Sequence, residues 1–142
     1  MRPTLSEYLS GLRRILEEAV APSVQGEYAN EMLAGVLRSL AMLEENWPVA
    51  PDFLAWDNVE TARLLSLIAP HVPLGAPIEP ATQPSTFAQL DAENERVRAL
   101  LASAIAALAA SSAHTVYAEV VEHLRTRIDR YPHRAVGTLP AR

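Results

Sequence analysis

Four histidines, His71, His114, His123 and His133, are the side chains of this chain whose ordinary pKa lies near neutrality and whose nitrogens can hold a transition metal. Glu119 and His123 stand four residues apart, a spacing that puts both on one helix face and could offer two ligands to one ion. Neither His-Glu-x-x-His nor paired Glu-x-x-His repeats accompany them, so the pair reads as a solvent-facing helical contact, and no metal is expected. Cysteine is absent, which removes thiolate catalysis, disulfides and cysteine zinc sites. All twelve basic residues are arginine, so a Schiff-base lysine and the lysine of a phosphate loop are also missing. The serines in "YLSGL" and "LASAI" do not sit in a nucleophile elbow, and the five glycines are scattered. No catalytic residue and no cofactor is assigned.

Arg125, Arg127, Arg130 and Arg134, with His123 and His133, form the one basic cluster in the sequence. Arginines in a last helical turn complement the carbonyl end of the helix dipole, which accounts for most of them. Arg127 and His133 keep an arginine-then-histidine spacing that resembles the catalytic motif of the helical HEPN ribonucleases, but Pro132 interrupts the helix that would carry it. The net charge of -5 argues against a nucleic-acid partner. Asn94 falls on the apolar seam of its helix, where a polar residue fixes register or oligomeric state, and Ala104 on the same seam lets a neighbour approach closely.

The elements that must position these residues are helices. Alanine dominates the hydrophobic 49% of the chain and aromatics supply only 6%. Thr4 and Glu7 form a capping-box pattern ahead of an amphipathic helix reaching about Val20, with Leu5, Leu9, Leu12 and Leu16 at helical spacing. "APSVQG" turns the chain into a second helix from about Glu27 to Asn46. "PVAPDFLAW" reads as an extended connection and Asp57 as the N-cap of a short third helix ending before Pro70. Residues 70–84 hold five prolines and read as a polyproline-like crossover. Thr86 and Gln89 open a fourth helix to about Ala110, "SSAH" breaks it, and a fifth runs from about Thr115 to Tyr131. Residues 132–142 read as a flexible tail.

The expected fold is therefore a single all-α domain over residues 1–142. It is an up-down helical bundle of four main helices and one short one, arranged as two hairpins joined by the proline-rich crossover. From Ala99 to Ala118 twenty residues carry no charge, yet their apolar members favour membrane insertion by only about 2 kcal/mol in sum, against serines and a histidine. The stretch reads as two helix ends rather than a span. Charges at Glu7, Arg13, Arg14, Glu17 and Glu18 stand where a signal peptide needs an apolar run, so the chain reads as cytoplasmic.

"LRRILEEAVAPSVQGEYANEMLAGVLRSLAML" and "LDAENERVRALLASAIAAL" resemble the corresponding helices of a group of small, all-helical bacterial proteins. That group is encoded beside aminoglycoside-phosphotransferase-like kinases and acyl-CoA dehydrogenases. The resemblance supplies no catalytic residue and implies an accessory role beside such an enzyme.

These observations favour a non-enzymatic interaction or accessory protein, a homodimer or the partner of an enzyme, with Asn94 and Ala104 at its interface. The competing expectation is a small-molecule-binding bundle or small enzyme. Its apolar pocket would lie between the hairpins, lined by Phe53, Trp56, Leu101, Ile105, Tyr117 and Leu124 with His114 as the polar group.

Overall fold

A computed structural model describes residues 3–80 and 82–131. The expected tail of residues 132–142, with His133 and Arg134, lies outside the described residues. The fold is an all-α helical bundle, with five α-helices and no strand among the described residues: α1 (Leu5–Ile15), α2 (Glu27–Asn46), α3 (Ala50–Ile68), α4 (Phe87–Ala109) and α5 (His114–Arg130). None of them is long and apolar enough to cross a membrane. The described residues through Ala50 form one compact unit and those from Pro51 onward a second.

In the first unit, Thr4 caps α1 with the reciprocal bonds of a capping box. Its hydroxyl accepts from the Glu7 N–H at 3.3 Å while the Glu7 carboxylate accepts from the Thr4 N–H at 2.6 Å. Beyond Ile15 the coil widens into one π turn, Leu16–Val20, then tightens into a 3-10 turn, Ala21–Ser23, and Gly26 at φ 92 starts α2. The α1–α2 pair is tied side by side through Glu44, which accepts from the Ser10 hydroxyl and, at 3.2 Å, from Arg13 Nε.

The second unit contains the hydrophobic core. Leu64, Leu65 and Ile68 of α3 pack with Val97, Leu100, Leu101, Ala104 and Leu108 of α4 and Val120 of α5. Each fully buried Leu or Ile contributes about 1.5–3 kcal/mol of hydrophobic stabilisation. The proline-rich segment runs inside this unit, from α3 to α4, and lays Leu74 and Ile78 against the core. Arg96 of α4 anchors it, donating to the Pro77 and Ile78 carbonyls at 2.7 and 2.6 Å while Glu93 holds the same guanidinium at 2.8 Å. Thr86 and Gln89 make the expected capping box on α4. Ser111 separates α4 from α5, donating to the Leu108 carbonyl and accepting from the Ala113 N–H.

The third helix differs from expectation. It begins at Ala50 and runs nineteen residues, so "PDFLAW" is helical and Asp57 is an interior residue, not an N-cap. Pro51 occupies the first helical turn, where no backbone N–H is needed and proline's fixed φ suits the helix.

Candidate functional site

Moving down α3 from Leu65 toward its N-terminus, the buried face changes character: Thr61, Asn58 and Asp57 replace leucines and stay buried. The same change occurs on the neighbours, where Asn94 extends the seam of α4 and His123 that of α5. Helical spacing brings these to one level, so one end of the second unit has a polar core.

Asp57 is its centre and is fully buried. Its Oδ2 accepts from Asn94 Nδ2 and from Arg127 Nε, both at 2.8 Å. His123 Nε2 stands 3.3 Å from Oδ1, an off-axis contact that leaves Oδ1 without an aligned donor. Asn94 Nδ2 also donates to Asn58 Oδ1 at 2.9 Å, and Asn58 Nδ2 donates to the Leu90 carbonyl at 2.9 Å. Burial pushes the Asp57 carboxyl up, but His123, Asn94 and Arg127, together with the Arg127 charge, outweigh it and lower the pKa to about 2. The two short bonds at Oδ2 carry most of that stabilisation, because the His123 contact is long. Asp57 is thus a buried anion neutralised by Arg127.

Aromatic rings close this end. The Arg127 guanidinium lies 5.5 Å from the Phe53 ring and 5.4 Å from the Tyr131 ring, and those two rings meet edge to face at 5.3 Å. Arg130 lies 4.4 Å over Trp56, whose ring is 5.5 Å from that of His123. Outside them is a shallow groove of about 380 Å³ bordered by Glu60, Arg63, Glu119 and Arg130.

Thr61, His123 and Asp57 are the residue types of a nucleophile, a base and its orienting acid, but the geometry is not that of a relay. Thr61 Oγ1 and Asp57 Oδ1 both lie 3.3 Å from the same ring nitrogen, Nε2, whereas a relay needs them on opposite nitrogens. Thr61 is also fully buried, beyond the reach of a substrate. The arrangement locks three helices in register.

The predicted residues distribute accordingly. Asn94 is buried and donates to Asp57 and Asn58 of α3 in its own chain, and Ala104 packs inside the core. Phe53 and Trp56 belong to the aromatic closure. Leu101 is buried in the core, with Ile105 and Leu124 packed against it, while His114 and Tyr117 are exposed at the start of α5. The expected pocket set is therefore spread over core, closure and surface. His123 is buried, contrary to its solvent-facing reading, and Glu119 pairs instead with Arg63 at 3.2 Å. Among the described residues no three His, Asp or Glu side chains gather to hold a metal ion. The basic cluster disperses, with Arg125 on exposed Glu122, Arg127 on Asp57 and Arg130 on Trp56. Sequence reasoning missed Asp57 and Arg127; the signal was the i, i+4 spacing of Phe53, Asp57, Thr61 and Leu65 along one face.

No protein-family model matches the chain, and neither does any curated protein or any solved structure.

The first unit has no comparable interior. On α1, Leu5, Tyr8, Leu12 and Ile15 form an exposed apolar stripe at four- and three-residue steps. On α2, Tyr28, Met32, Val36 and Leu43 form another. Ser10 and Arg13 turn toward α2, and Glu44 toward α1. Counting 100° per residue from those contacts, and running the helices antiparallel, both stripes fall on the same side of the pair. They make one apolar face.

Proposed function

We propose that this chain works by association, as a non-enzymatic interaction or accessory protein whose α1–α2 hairpin is the docking element. The observation that carries this reading is the hairpin face, whose eight large apolar side chains are 42–75% exposed. Isolated exposed leucines are ordinary, but a contiguous apolar face wider than a few hundred Å² marks an interaction site. The buried Asp57 cluster supports the same reading from the other side, because Asp57 and Thr61 are fully buried and Asp57 Oδ2 is held by Asn94 and Arg127 of the same chain.

Photo-cross-linking inside the source cell tests it. A benzophenone amino acid at Leu12 or Met32 should give discrete adducts that the same group at Val59, an exposed residue of α3, does not. Adducts at Leu12 and Met32 no stronger than at Val59 would overturn the proposal.

A further inference from the structure

Building on the association reading, we infer that the occupant of the hairpin face is a second copy of this chain, two hairpins packing about a two-fold axis into a four-helix bundle. Three features of the face support this partner. The first is its area: from the exposures of the eight stripe residues it offers roughly 800 Å² per chain, the share each partner contributes to a stable interface of standard size.

The second is its chemistry. On the helical wheel the face contains no charged residue; Glu7 and Arg14 on α1 and Glu31 and Arg38 on α2 fall outside it. Transient interfaces are no more apolar than the rest of a protein surface, whereas homodimer interfaces are depleted of charge and enriched in apolar area. A face of this composition suits a permanent copy of itself.

The third is completeness. A two-helix hairpin cannot enclose a core, and in this one Asn46 is the sole residue of α1 and α2 that is buried. Duplication by an isologous contact supplies the missing two helices and buries each stripe against its own equivalent. Tyr8 and Tyr28 bring rings to the face while their hydroxyls can stay wet at its edge.

Sedimentation velocity on the full chain across a concentration series is the test. The wild type should sediment at twice the 15.5 kDa chain mass. Leu12→Glu should weaken self-association by about a hundredfold or more, because it places an unpaired carboxylate in the apolar contact, and Val59→Glu should leave it unchanged. Should Leu12→Glu fail to fold, the absence of native cysteine gives a second route. Leu12→Cys and Val36→Cys should each be captured as covalent dimers by a short bismaleimide, and Val59→Cys should not. A wild type that stays monomeric overturns the self-association, as does a dimer that survives Leu12→Glu or cross-links only at Val59→Cys. If a monomer still gives adducts from Leu12 in the cell, the docking face stands with a different partner; a monomer without adducts removes both.

Discussion

The two units are built from similar helices and bury different things. The helices α3, α4 and α5 enclose apolar side chains and finish one end with an ion pair, while α1 and α2 hold eight large apolar side chains in solvent. The difference is not one of composition, since leucines repeat at helical spacing in both. It is the number of faces each helix can cover. A helix flanked by two others buries a wide stripe, and a helix in a hairpin buries only the seam toward its one partner. The second unit is self-sufficient in this sense, and the first has a face to spare.

The sharpest way to break that contrast is to attack the ion pair. Arg127→Met leaves Asp57 as an uncompensated buried carboxylate and should destabilise the second unit by about 3–5 kcal/mol. Asp57→Asn combined with Arg127→Met should recover much of that loss in denaturant titration, because the charge itself is gone. A single Arg127→Met variant as stable as wild type would show that the cluster is not a neutralised pair.

Identical truncations in the two units come next. Leu65→Ala removes a fully buried side chain and should cost about 3 kcal/mol by equilibrium unfolding. Leu12→Ala, at 50% exposure, should cost less than about 1 kcal/mol when measured on dilute chain, where any association is absent. Equal costs at the two positions would erase the distinction between a closed core and an open face.

Much of this architecture is legible in the sequence. Both capping boxes, the span of α2 and the serine break between α4 and α5 follow from local chemistry within four residues, and periodicity marked the hairpin. The polar core is not, for a specific reason. Asp57 followed three residues later by Glu60 copies an N-cap pattern, and nothing local distinguishes a cap from a buried anion whose counterion is Arg127, seventy residues away. His123 is hidden from sequence for the same cause, since its face is decided by Thr61 and Asp57 on another helix. Asn94 stands out in the sequence as a polar residue on an apolar seam, because its neighbours at three and seven residues are apolar, but its partners Asp57 and Asn58 lie beyond sequence reach.

Acid titration sharpens the contrast with a smaller effect. The Asp57 pKa is lowered on folding from 3.8 to about 2, so its contribution is fully present above the unfolded value and is lost as pH falls through the folded one. That loss amounts to on the order of 2 kcal/mol between about pH 4 and pH 2. Asp57→Asn should flatten the stability profile across this window. A variant that keeps the full wild-type slope would place the acid sensitivity elsewhere.

The smallest expected effect concerns how the second unit seals its core. Leu74 and Ile78 sit on a segment with five prolines, where few backbone N–H groups are available for pairing, so its position depends on side chains that reach it from outside. Arg96 is such a side chain, and Glu93 orients its guanidinium and raises its pKa, so it remains charged at all accessible pH. Because Arg96 is partly exposed, Arg96→Ala should lower global stability by only about 1 kcal/mol. Its larger signature should be local. Amide exchange at Leu74 and Ile78 should speed up while that at Leu64 and Leu101 holds, since the crossover can lift without opening the helices beneath it. Exchange accelerated equally at all four residues would mean that the crossover is part of the cooperative core, not a cover laid over it.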